Sequence, residues 1–326
     1  MNRTLRRRDL LAGGLAYGLA GPSCSRRAGP PPRVSIIRAG TYEEDLTLKV
    51  LGILREHRID VRGKRVVLKP NLVEFDPGRS INTHPAVVHA AFEAFRASGA
   101  AEVRIAEGPG HRRNTWELAD AAGFPAAFRN FQSIFTDLNL DEVSRVALHR
   151  PFSRLSELYL PQTALGADLL VSLPKMKTHH WVGATLSMKN LFGLVPGSVY
   201  GWPKNVLHWA GIDECIADLH GVFPKHFCLV DGIVGMDGNG PIQGNQKTAG
   251  VLVAGDDAVA VDATCCRIMR LDPDKIGYLQ LARSRSGTDL TNIRQIGESI
   301  SSVQTAFELI PEWKALRLPA TPGGLS

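Results

Sequence analysis

Short apolar runs and segments of helical period take turns along most of the chain. Val34 to Arg38 and Arg65 to Leu68 run apolar over strand lengths, and between them Glu43 to His57 repeats its apolar residues at helical spacing. Thr83-His84-Pro85 places a proline at the first turn of a helix that continues to Ala97. Val103 to Ala106 reads as the next strand, and Asn114 to Ala122 as a helix closed by Gly123. Strands over Ser133 to Phe135 and Ala167 to Leu173 follow, then a helix over Val206 to His220. Strands over His226 to Val230 and Ala249 to Ala254 come next, and Asp256 is placed to cap a helix over Ala258 to Leu271. Strands separated by helices predict an α/β fold: a mainly parallel sheet with right-handed crossovers and helices on both faces. Residues 124–165 interrupt the alternation and predict a small inserted subdomain, so the main domain is expected over 33–290. Beyond Gly287 the pattern fades, and residues 291–326 are expected as a loose, Pro/Gly-rich C-terminal extension.

Residues 1–32 stand apart from this pattern. Arg7-Arg8-Asp9-Leu10-Leu11 matches a twin-arginine export motif and precedes an apolar stretch to Ala20 that is too short and glycine-rich for a membrane span. The expected partner is the twin-arginine export machinery, which passes folded proteins, and Pro30-Pro31-Pro32 reads as a tether. The chain is then expected in the periplasm, or on the membrane through a lipid on Cys24; cleavage after Ala20 and lipidation of Cys24 both stay open. The net charge of +6 is partly a property of this leader, since without residues 1–23 there are 34 basic against 31 acidic side chains, or +3. That mild excess excludes the concentrated basic face that nucleic-acid binding needs. Hydrophobic residues at 44% and charged ones at 21% are those of a globular protein with a substantial core. Cys215, Cys228, Cys265 and Cys266 lack C-x-x-C spacing, which argues against zinc or an iron–sulfur cluster and leaves a Cys215–Cys228 disulfide open.

The candidate chemistry concentrates where the Ala167 to Leu173 strand ends. Lys175, Lys177 and His179 alternate along an extended stretch and so share one face, and Lys189-Asn190 follow among Leu191, Phe192 and Leu194. Cations crowded between apolar neighbours are costly unless an anion balances them, so these residues predict an anion-binding cleft. Lys189 suits a base, a Schiff-base amine or a fixed cation. Lys69 and Asn71 sit just past another strand, Glu107 just past a third, and Asp231-Gly232 past a fourth. His84 lies at a helix start, where backbone amides favour anions, although capping alone would also explain it. His208 sits beside Trp209 on a predicted helix. Strand ends of this kind meet along one edge of a parallel sheet, where open α/β folds bind ligands. His84, His179, His208, Asp231 and Asp237 show no H-x-x-x-H or H-x-H spacing, and no metal site is assigned.

The same segment, with Lys175-Met176-Lys177-Thr178-His179 and Thr185 through Lys189-Asn190, Gly193 and Pro196-Gly197, resembles the signature of the domain of unknown function 362 family. Lys69-Pro70-Asn71, Thr83-His84-Pro85, Glu107-Gly108, His208, Asp231-Gly232, Gly238-Asn239-Gly240-Pro241 and Asp257 to Ala263 extend the resemblance over roughly residues 34–285 in the same order. The family implies a fold and a site but no substrate, reaction or cofactor. A second, partial likeness is to the nickel-pincer lactate racemases, in His111-Arg112 after a strand and Lys189 ahead of Pro196-Gly197, with a different lysine to Pro-Gly spacing. It would imply proton or hydride transfer at a hydroxy acid. The expected function is an enzyme holding an anionic small molecule, a carboxylate or phosphate. Asn71, His84, Glu107, Lys175, Lys177, His179 and Asn190 would bind the ligand, and Lys189, Lys69, His208 and Asp231 would serve the chemistry. The rival is a non-catalytic binding protein for an anionic ligand or cofactor, which needs the cations but no lysine or histidine of shifted pKa.

Overall fold

Ten strands join in one sheet in a computed structural model that describes residues 30–110 and 114–319. In chain order they begin with β1 (Arg33–Arg38), β2 (Arg65–Pro70), β3 (Glu102–Glu107) and β4 (Phe135–Asp137). β5 (Val143–Ala147) and β6 (Glu157–Pro161) pair only with each other, as a separate two-stranded sheet. β7 (Leu169–Leu173), β8 (Lys175–His179), β9 (Gly183–Thr185), β10 (Phe227–Asp237), β11 (Asn245–Gly255) and β12 (Arg294–Gly297) complete the set. The main order is β12-β1-β11-β10-β7-β2-β3-β4, with β8 also on β10 and carrying β9. Pairs β10–β7, β7–β2, β2–β3 and β3–β4 are parallel, as are β10–β8 and β1–β12. The sheet is therefore mainly parallel, with antiparallel pairings where β11 lies between β1 and β10 and where β9 turns back on β8.

Alternation along the central strands sends side chains into two helical layers. From β10, Phe227, Leu229 and Ile233 enter the core shared with the Leu46–Glu56 and Pro85–Ala97 helices. Cys228 and Val230 enter the opposite core, built on the Ala258–Ile268 and Gly277–Ser286 helices. β11 divides the same way, Leu252 and Ala254 against Val251 and Val253. A strand buried on both faces must be apolar throughout, which is why these runs show so little polar alternation. All four cysteines from Cys215 onward are free and buried. Among the described residues no helix is long and apolar enough to cross a membrane.

Several elements depart from the pattern read along the chain. The helix expected over Val206 to His220 is two, Asn205–Trp209 and Ile212–Val222, because Gly211 takes φ 109°, which no helix contains. Ser133 and Ile134 belong to a helical turn, Phe131–Ile134, and only Phe135 starts the strand. Within residues 124–165, β4 joins the main sheet while Leu158 and Leu160 of β6 enter a third core patch with Leu191, Leu194 and Leu207. Asp257 rather than Asp256 caps the Ala258–Ile268 helix, accepting from Ala260 N at 2.9 Å. The chain after Gly287 is docked, not loose, as far as residue 319. β12 extends the sheet beside β1, Phe307 is fully buried, and Trp313 Nε1 donates to His180 O at 2.9 Å.

Candidate functional site

Pro174 creates the opening that the site occupies. β7 runs beside β2 as far as the Pro70–Leu173 pair, and Pro174 then interrupts the ladder because it has no N–H to give. β8 resumes at Lys175 along β10, no longer beside β2, with Asp231 N donating to Pro174 O at 2.9 Å. The carboxyl ends of β2, β3 and β7 and the middle of β10 thus meet, delivering Lys69, Asn71, Glu107, Lys175 and Asp231 to one edge.

Two buried ion pairs frame this edge. Lys69 pairs with Glu107 and also donates to Pro70 O at 2.8 Å and Asn190 Oδ1 at 3.0 Å. Asn190 Nδ2 returns bonds to Lys69 O and Ser172 Oγ, both at 3.0 Å. Each proton of the Lys69 ammonium therefore has a protein acceptor. Lys69 and Glu107, expected to react and to bind ligand, instead hold each other. Burial pushes Lys69 down and Glu107 up, toward their neutral forms, while their mutual attraction opposes it. The second pair joins Lys175 Nζ to Asp231 Oδ2 at 2.5 Å, and Lys175 donates further to Tyr42 OH at 2.9 Å and Val234 O at 3.1 Å. Asp231 also accepts from Tyr42 OH at 3.1 Å and from His84 N at 3.0 Å. Ile233 N adds a fourth donor at 3.3 Å, so the carboxylate is saturated and Asp231 positions Lys175. His84 stacks on Tyr42, centroids 3.7 Å apart, and caps its helix by accepting from Ala86 N through Nδ1. Those contacts account for His84 by capping. A cleft of about 980 Å³ lies alongside, lined among others by Tyr42, His84 and Lys175.

Beside the pairs stand cations that, among the described residues, have no carboxylate of their own. Lys177 is fully buried and, among the described residues, finds only Ile81 O at 2.9 Å and Pro241 O at 3.3 Å. Burial, then Lys175, Lys189 and Lys69, push it well below the ordinary lysine value. Half-buried Lys189 has no hydrogen-bond or ion-pair partner among the described residues; its ammonium lies 3.6 Å from the centre of the Phe192 ring. Burial with Lys69 and Lys204 lowers it to about 7. His179 accepts from Trp181 N at 3.0 Å, and burial with Lys189, His180 and Lys177 drives it well below the usual histidine value. His208 packs its ring against Trp181 at 4.9 Å and Phe192 at 5.8 Å, and burial and Lys189 take it to about 4. Among the described residues three buried polar atoms here lack hydrogen-bond partners: Asn71 Oδ1, Thr185 Oγ1 and His208 Nδ1. Thr185 is the register partner of Lys177 across β8 and β9, so their side chains share a face.

Lys204 and Tyr42 were not anticipated along the sequence, and Asp262 stood out there only within the Asp257 to Ala263 stretch of the family resemblance. Lys204 is buried, reaches Gly108 O at 2.5 Å, and is lowered to about 7 by burial with Glu107 opposing. Its left-handed φ of 63° follows Pro203, and nothing in the local sequence marks it as pointing inward. Tyr42 arrives from the loop after β1, far from any motif. Asp262, lowered into the apolar Ala258–Ile268 helix, accepts from Ser187 N at 2.8 Å and Met188 N at 3.0 Å and so fixes the turn that carries Lys189 and Asn190. Among the described residues no group of three or more His, Cys, Asp or Glu side chains is placed to hold a metal ion. His111 and Arg112 lie outside the described residues, as do Arg7, Arg8 and Cys24.

Comparison with known proteins places the chain in a family. The chain is 30% identical over 274 residues to a thylakoid-associated protein of Synechocystis sp., covering 79% of this chain and 80% of that protein. A solved structure of a lactate racemase apoprotein from Thermoanaerobacterium thermosaccharolyticum aligns with a TM-score of 0.47 at 16% identity, over 74% of this chain. The chain spans 57% of that racemase's length. The family model described as domain of unknown function (DUF362) matches residues 66–267, the stretch that runs from β2 to the Ala258–Ile268 helix and contains both ion pairs and the unpaired lysines, and the chain belongs to that family.

Proposed function

We propose that the chain binds an anionic small molecule, bearing a carboxylate or a phosphate, between the two ion pairs, and that Lys189 exchanges a proton with it. The supporting observation is the charge imbalance: among the described residues neither Lys177 nor Lys189 has a carboxylate in an ion pair, each is pushed down by other lysines, and Glu107 and Asp231 are taken by Lys69 and Lys175. Like charges withdrawn from water repel unless an anion joins them or protons leave. A bound anion would satisfy Lys177 and Lys189 and offer acceptors or donors to the unpaired atoms of Asn71, Thr185 and His208. A purely binding role would need the cations but not a lysine near 7, the value at which an amine both gives and takes a proton at neutral pH. Export by the twin-arginine route, to the periplasm or to the membrane through Cys24, completes the proposal and rests on the leader sequence.

Thermal unfolding at pH 6 with sodium acetate or inorganic phosphate, against chloride at equal ionic strength, tests this. Saturation at about 100 times Kd is expected to add roughly 2.7 kcal/mol to stability, and Lys177→Met is expected to abolish that gain. Equal melting in all salts would remove the anion site.

A further inference from the structure

Beside the cationic site lies an outer cleft of about 780 Å³, lined by residues that include His180, Trp181, Asn239, Ile242, Ile310 and Pro311. Trp181 belongs to both regions. Its ring meets His208 at 4.9 Å and His179 at 6.2 Å, its backbone N–H donates to His179, and yet the residue is 54% exposed. The docked C-terminal segment supplies one wall, tied down where Trp313 donates to His180 O. Among the described residues the outer cleft has no lysine or arginine in its lining, and it carries the Glu74 and Glu312 side chains. An anionic group would therefore settle on the inner lysines, while a neutral apolar body suits Trp181, Ile242, Ile310 and Pro311.

We propose that the ligand is an amphipathic anion, whose charged group takes the inner site and whose aromatic or hydrocarbon body lies across Trp181 in the outer cleft. This rests on the anion-binding reading above and adds the class of molecule. Pockets of several hundred Å³ with apolar walls and a few convergent polar groups are the usual receptors for such ligands. The half-exposed indole joins a large apolar ring to a polar N–H, which is how tryptophan contributes to recognition at wet surfaces.

Calorimetric titration of the full chain at pH 6 with two pairs of probes decides it: acetate against phenylacetate, and inorganic phosphate against phenyl phosphate. The aryl member of at least one pair is expected to bind about tenfold tighter than its small partner. Trp181→Ala should erase most of that preference. Ile242→Ser, on a partly exposed side chain away from the lysines, should reduce the preference independently in case the tryptophan variant folds poorly. Trp209, 74% exposed and outside the lining of the cleft, serves as the control, and Trp209→Ala should leave both affinities unchanged. Equal affinity within both pairs, or a preference that survives both Trp181→Ala and Ile242→Ser, would overturn the proposal and leave the anion site standing. No binding by any of the four probes would overturn the anion site and this inference together.

Discussion

Lys189 concentrates the residue-scale argument. Its ammonium is held at the Phe192 face, which favours the cation, while burial and two further lysines work against it and win, taking its pKa to about 7. Because the folded value lies below the unfolded one, the unfolded chain holds more protons between about pH 7 and 10.5, and stability rises with pH across that window. The cost of keeping the cation is full below pH 7 and gone above 10.5. Lys189→Met is therefore expected to melt higher than the parent at pH 6, by roughly 1–3 °C, with the difference closing toward pH 10. Lys204 is lowered to the same range and repels Lys189, so the gain includes the relief of that repulsion. A sharp fall in melting temperature at pH 6 would make Lys189 a structural residue instead.

At the scale of elements, the site depends on one break and one tight approach. Pro174 ends the β7 ladder, and the resumed strand β8 keeps Lys175, Lys177 and His179 on one face while Met176 enters the opposite core. The Leu191–Leu194 turn then folds over the Lys69–Glu107 pair so closely that a Cβ at Gly193 would overlap both Glu107 Oε1 and Lys69 Nζ. Gly193→Ala is expected to cost about 1–3 kcal/mol in urea unfolding, since neither partner can retreat without an unpaired buried charge. Gly52→Ala provides the contrast. Gly52 lies exposed inside the Leu46–Glu56 helix with nothing within 4 Å of its Cβ position, and the change should add roughly 0.5–1 kcal/mol. A neutral Gly193→Ala would mean that the pair is far looser than its geometry.

For the whole molecule the decisive fact is sequence distance. β1 pairs with β11 from Ser35↔Ala254 onward and with β12 at Arg33↔Arg294, so the sheet closes only after most of the chain is available. An export route that carries folded proteins suits such a topology, in which the first strand cannot be placed before the last arrive. Arg7→Lys combined with Arg8→Lys is expected to retain the chain in the cytoplasm on cell fractionation. Cys24→Ser should release it from the membrane only if a lipid is attached there. Normal export of the double-lysine variant would remove the twin-arginine assignment.

Local pattern was enough for the layered α/β architecture, because strands buried on both faces are apolar throughout and helices must show one apolar stripe. It was also enough to mark Lys175, Lys177, His179 and Lys189-Asn190, since cations between apolar neighbours stand out in any local window. Their roles could not be read there. Whether a buried lysine is spent or free depends on which carboxylate reaches it, and Lys69–Glu107 and Lys175–Asp231 are pairs between strands 38 and 56 residues apart. The same holds for Lys204 and Tyr42, ordinary loop residues in the chain that the fold turns inward. Charge balance is a property of a volume, and only the packed sheet defines that volume.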